Sequence, residues 1–122
     1  MKKLLLVFGL MLLASPVLAE DVTLLWTAPG DDGNIGTATA YDLRRSTAML
    51  TSANFSAATQ VVVTAPKVAG SPETFVVTGL TPGTYYFAIK SVDEAGNWSL
   101  MSNVVAKVVA DVTPPSTIVD LR

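Results

Sequence analysis

From residue 20 onward no stretch keeps an apolar period of 3.6 residues long enough for a substantial helix. Short β-branched and aromatic runs alternate instead with clusters of Gly, Pro, Asn and Asp. A chain punctuated in this way is expected to be all-β. Val22, Leu24 and Trp26 alternate with Thr23 and Leu25, the period of a strand with one buried face, and Pro29 ends the run. The loop Pro29 to Gly36, PGDDGNIG, is rich in residues that tolerate positive φ. Further strands are expected over Thr39–Ser46, Gln60–Thr64, Thr74–Thr78, Tyr85–Val92 and Asn103–Ala110, a spacing that suits a sandwich. Met49 to Thr59 reads equally as one helical turn or as a loop.

The first nineteen residues stand apart. Lys2 and Lys3 precede an apolar stretch, Leu4 to Leu13, and Val17-Leu18-Ala19 offers small residues for cleavage after Ala19. That stretch is shorter than the roughly 20 residues a membrane-spanning helix needs, so a cleaved secretory signal is expected, the rival being an uncleaved anchor. Removing nineteen of 122 residues leaves 103, one domain with one core. Six basic residues then face ten acidic ones, a net charge of −4, which gives no reason to expect nucleic acid or an anionic membrane as partner. No Cys is present, so neither a disulfide nor lipid attachment through Cys is available, and packing alone must hold the fold. No His is present either, which removes the commonest general base and metal ligand.

The segment GLTPGTYYF, with Leu80, Pro82, Gly83 and Thr84 followed by tyrosines, resembles the corner between the fifth and sixth strands of fibronectin type III domains. VTLLWTAP, Val22 to Pro29, resembles that family's second strand with its buried tryptophan, here Trp26. VDEAGNWS and the later SNVV resemble the turn and last strand of bacterial members. The three matches, in order, cover residues 22 to 110 and imply an immunoglobulin-like antiparallel β-sandwich with Trp26, Tyr41, Leu80, Tyr85 and Phe87 in its structural core. Members commonly place the corner tyrosine where Tyr86 stands. Alternation favours Tyr85, because turning Tyr86 inward would carry Lys90 with it, and an unpaired buried ammonium costs several kcal/mol.

The resemblance also implies a proline-led first strand ahead of Val22, where only Glu20 and Asp21 lie after the expected cleavage point. That strand is apparently missing from the N-terminus. Asp111 to Arg122, DVTPPSTIVDLR, resembles instead the linker and first strand that open a following domain, with Ile118 and Leu121 as candidate contacts of a donated strand. The organisation expected is a signal peptide over 1–19, a fibronectin type III-like domain over 20–110, and a linker with a first-strand-like tail over 111–122.

No catalytic constellation is legible: Ser and Thr lack a His, and Lys67 or Lys90 beside a Ser is expected by composition. The fold brings the loop after the tryptophan strand and the loop before the last strand to one end. Asp31, Asp32 and Asn34 could therefore approach Asp93, Glu94 and Asn97 and supply several of the six to eight oxygens calcium takes. The same residues are ordinary turn formers. Trp98 either stacks on a sugar face or partner protein or covers the end of its own core. Arg44 and Arg45 read as a solvated strand face, and the sequons at Asn54 and Asn97 carry little weight in a chain of bacterial character.

The function these readings imply is that of a non-catalytic module, secreted or held at the cell surface or in the periplasm, acting in binding, adhesion or spacing. Its expected partner is a cell-surface protein or carbohydrate, with no nucleic acid, no cofactor unless the loop acids take calcium, and no membrane span once the signal is cleaved. The alternative is a structural subunit that self-associates head to tail by donating its C-terminal strand. Completion of the sandwich in cis by that tail, or a tail that only links to a further domain, are the other readings. No Arg-Gly-Asp motif suggests an integrin-type contact.

Overall fold

The computed structural model describes residues 20–122, so the expected signal peptide over 1–19 lies outside the described residues. The strands are β1 (Glu20–Thr27), β2 (Ala40–Ser46), β3 (Thr59–Val61), β4 (Pro72–Leu80), β5 (Gly83–Val92) and β6 (Val105–Val109). Every pairing is antiparallel: β1 with β4 in one sheet, and the order β3-β2-β5-β6 in the other. The two sheets pack face to face as an immunoglobulin-like β-sandwich.

Period-2 patterning decides which side chains fill the space between the sheets. On β1, Val22 and Leu24 are buried and Trp26 half-buried, while Thr23, Leu25 and Thr27 face solvent. They meet Leu43 of β2, Val77 and Leu80 of β4, Tyr85 and Phe87 of β5 and Val109 of β6. Leu80 lies three residues after Val77, which strict alternation would turn outward. One extra residue in β4 lets both point inward, because Val22 opposes Val77 while Glu20 opposes Leu80. Gly79 absorbs that bulge at φ +74°, a conformation other residues adopt at a cost.

Tyr85 is buried and its hydroxyl donates to the Thr81 carbonyl at 2.8 Å, tying β5 to the turn before it. Phe87, two residues on, is 1% exposed, and burying a ring so fully stabilises by about 1.5–3 kcal/mol. Tyr86, Ala88 and Lys90 consequently face the other way. That outer face is not bare. Leu50, Phe55 and Ala88 are buried together there, with Tyr86, Met101 and Val104 packed against them. The segment that read as either a turn or a loop folds over the sheet and makes one 3-10 turn, Phe55–Ala57, whose Phe55 is buried.

The arginines depart from the solvated face expected of them. Arg44 is half-buried, donates from Nε to Asp42 Oδ1 at 2.7 Å and from Nη1 to the carbonyls of Ser56 and Ala58 at 3.0 and 2.9 Å. Its guanidinium lies 5.7 Å from the Phe55 ring centre, and the Lys90 ammonium lies 4.7 Å from it. Arg45 stands 5.8 Å from the Tyr85 ring. A planar cation can hydrogen-bond at its edge while its flat face covers a ring, so these positions serve packing as much as solubility.

Residues 111–122 form no strand and all are exposed, Val119 and Leu121 at 91% each. Among the described residues, β1 pairs with β4 alone.

Candidate functional site

At one end of the sandwich the loop after β1 and the loop after β5 line a shallow pocket of about 230 Å³, with Asp31, Asp93, Asn97 and Trp98 on its walls. The 30–36 loop owes its shape to backbone bonds: Gly30 N–H donates to the Gly33 carbonyl at 2.8 Å and Asp31 N–H to the Ile35 carbonyl at 2.8 Å. A Cβ at Gly30 would collide with the Ile35 backbone, so only glycine fits there. Asp93 uses its carboxylate on its own turn, accepting from Ala95 N–H at 2.9 Å, Asn97 N–H at 2.8 Å and Asn97 Nδ2 at 2.8 Å. Those donors, the Asn97 side chain first, hold the Asp93 carboxyl below its usual range.

Of the six oxygen-bearing residues singled out in these loops, the fold brings Asp31 beside Glu94. Glu94's own backbone amide pulls its carboxyl down, but Asp31, through a hydrogen bond and its charge, outweighs this and the net direction is up. Asp31 Oδ1 is shut off from solvent and has no hydrogen-bond partner among the described residues. Asp32 closes a tight bridge with Ile35, and Asn34 faces solvent. Among the described residues no three His, Cys, Asp or Glu side chains cluster in a way that could hold a metal ion. Trp98 pairs through its backbone with Val92 and stands 53% exposed on the wall of the pocket.

A buried polar pair lies below this end. Glu73, 4% exposed, accepts from the Tyr41 hydroxyl and from Lys67 N–H, both at 2.9 Å. Burial pushes the Tyr41 hydroxyl up to about 12; the Trp26 side chain opposes this and the Glu73 carboxylate adds to it. Trp26 meets Tyr41 edge to face at 5.4 Å, but its indole N–H has no acceptor in hydrogen-bonding geometry, so its effect on Tyr41 is that of a nearby dipole and not of a bond.

A further concave surface runs along the unpaired side of β1. Two adjoining hollows of about 260 and 450 Å³ share Leu25, Trp26, Ile89 and Asn103, and the first reaches the core residues Leu43 and Phe87. It forms because β1 has no outer neighbour to close the gap between the sheets. Residues 99–103 flank the other side, bonded irregularly to β5 through Ser99 N–H to Ser91 O at 2.8 Å and Ser102 N–H to Ile89 O at 3.0 Å. Leu25 on β1 and Leu100 opposite stand 74% and 91% exposed. Sequence alternation placed Leu25 on the outward face, but reading the groove beside it needs the pairing partner of β1, which no local pattern supplies.

The fold thus defines a small all-β sandwich of immunoglobulin-like class. Part of the chain is similar to much longer proteins. Calcium-activated chloride channel regulator 1 of Homo sapiens is 38% identical over 106 residues, covering 79% of this chain and 12% of that protein. Endoglucanase B of Cellulomonas fimi is 36% identical over 109 residues, covering 87% of this chain and 9% of the enzyme. The chain therefore spans about a tenth of the length of these relatives. No protein-family model matches it, and no solved structure does.

Proposed function

We propose that this chain is an exported, non-catalytic module of fibronectin type III kind that binds or spaces other components at the cell surface or outside the cell. One observation carries the reading: similar stretches of about a hundred residues occur in two proteins whose names describe unlike work, a channel regulator and an endoglucanase, and make up about a tenth of each. A segment that recurs beside different activities is best understood as separable from both. The corner tyrosine bonded back to Thr81, the half-buried Trp26 and the strand order support the fibronectin type III assignment. Export is supported by the basic, apolar and small-residue succession over residues 1–19.

On this reading the loop end bearing Trp98 is the surface offered to a sugar face or a partner protein, since an aromatic ring with one exposed face contributes large contact area at low entropic cost. Expressed with its leader, the chain should be recovered outside the cytoplasm starting at Glu20, as read by intact-mass spectrometry. It should also leave soluble cellulose derivatives unhydrolysed. An unprocessed chain beginning at Met1 in the cytoplasm contradicts the export reading, and turnover of the polysaccharide contradicts the non-catalytic one.

A further inference from the structure

We propose that the groove along β1 is a strand-acceptor site, and that its occupant is the segment Thr117–Arg122 of a second copy of this chain, added antiparallel to β1. The proposal rests on the fold and is independent of what the module binds at its loop end.

The backbone of β1 fixes the acceptor geometry. Ala28 donates from N–H to the Ser71 carbonyl at 2.9 Å, so its main-chain groups point at β4. By the period of a strand, those of Trp26, Leu24 and Val22 point the same way, and those of Thr27, Leu25 and Thr23 point to the open side. Pro72 agrees with this phase. It has no N–H to give and sits opposite Thr27, a pair in which none is required. Thr23, Leu25 and Thr27 thus present a row of N–H and C=O groups to which no strand is paired among the described residues.

The tail matches this edge on both faces. Val119 and Leu121 share one side of an extended segment and Ile118 and Asp120 the other. With Val119 and Leu121 turned toward the groove, they stand in line with the inward residues of β1 and cover the hollow that reaches Leu43 and Phe87. Ile118 then falls on the outer face with Leu25, the large apolar side chain that β1 itself leaves exposed, as a cross-strand pair. Ile118, Val119, Leu121 and Leu25 are 76%, 91%, 91% and 74% exposed in the single chain. One docking event shelters all four. Pro114 and Pro115 precede the segment, where the first residues of an edge strand tolerate proline.

Reach favours a second copy over the same one. Val109 opposes Gly83, and Glu20 opposes Leu80, so the tail leaves the fold at the Glu20 end of β1. An antiparallel partner must start at the Thr27 end. Val109 to Thr117 spans about 28 Å when fully stretched. Running the length of β1 takes about 25 Å and crossing between sheets roughly 10 Å, which leaves nothing for the reversal of direction. A neighbouring molecule has no such constraint. Donation from each chain to the next need not close and would produce linear assemblies.

The test uses the chain Glu20–Arg122, whose molecular mass by light scattering should rise with concentration from the micromolar to the millimolar range. Val119→Asp with Leu121→Asp touches nothing in the fold and should hold the chain monomeric at unchanged melting temperature. Leu25→Pro removes an N–H that faces the open side, so it should spare the β1–β4 ladder and leave a monomer that still donates. Mixing the two variants should restore association and stop at a complex of one chain each. A synthetic peptide of Thr113–Arg122 should dissolve the wild-type assemblies, an arm that stands even if Leu25→Pro fails to fold. A chain monomeric at millimolar concentration overturns the proposal, including the case where deleting the tail merely destabilises a monomer. So does association that persists with both aspartates in place.

Discussion

Tyr41 shows at the scale of one residue how the fold places polar chemistry under its loop end. Its hydroxyl donates to a carboxylate that is 4% exposed, and its ionisation is pushed from 10.0 to about 12, chiefly by burial. A folded-state value above the unfolded one means that the stability tied to this group is complete below pH 10 and drains away as pH climbs toward 12. Tyrosinate absorbance should show a late-titrating step that is absent in Tyr41→Phe, and the free energy of unfolding measured across that range should fall more steeply in the wild type than in the variant. At neutral pH the same substitution strips Glu73 of one donor and should cost about 1–2 kcal/mol. None of this was readable beforehand, because Tyr41 and Glu73 are 32 positions apart and each is unremarkable in its own strand.

Among the elements, β1 and β5 were the most legible, since alternation alone separates Val22 and Leu24 from Thr23 and Leu25, and Tyr85 and Phe87 from Tyr86 and Lys90. All six strands lie where period and turn residues place them, with edges shifted by a few residues. The expected strand over Gln60–Thr64 pairs only over Thr59–Val61: the ladder ends at Leu43 opposite Val61, although β2 itself continues to Ala40. The covering of the outer face by residues 47–58 stayed hidden, because its anchors are isolated residues in a polar loop: Leu50, Phe55 and the underlying Ala88 carry no periodicity. Phe55→Ala should therefore cost about 3–5 kcal/mol, as much as a ring in the main core, and lower the melting temperature accordingly. A loss below about 1 kcal/mol, measured by denaturant titration, would mean that the segment is only draped over the sheet.

At the scale of the whole molecule, two sheets of unequal width leave one long side of the sandwich open. The smaller sheet has two strands against four, and the apolar interior reaches the surface beside β1. The exposed apolar run at Ile118–Leu121 and this groove are features of the same chain, and strand donation requires that β1 be an edge open to a further strand. Residue-resolved hydrogen exchange on Glu20–Arg122 tests it most directly. At low concentration the amides of Thr23, Leu25 and Thr27 should exchange freely while those of Leu24 and Trp26 are protected, and adding the Thr113–Arg122 peptide should protect the first set as well. Outward amides already protected in the dilute single chain, or still exchanging freely with the peptide in excess, would contradict it.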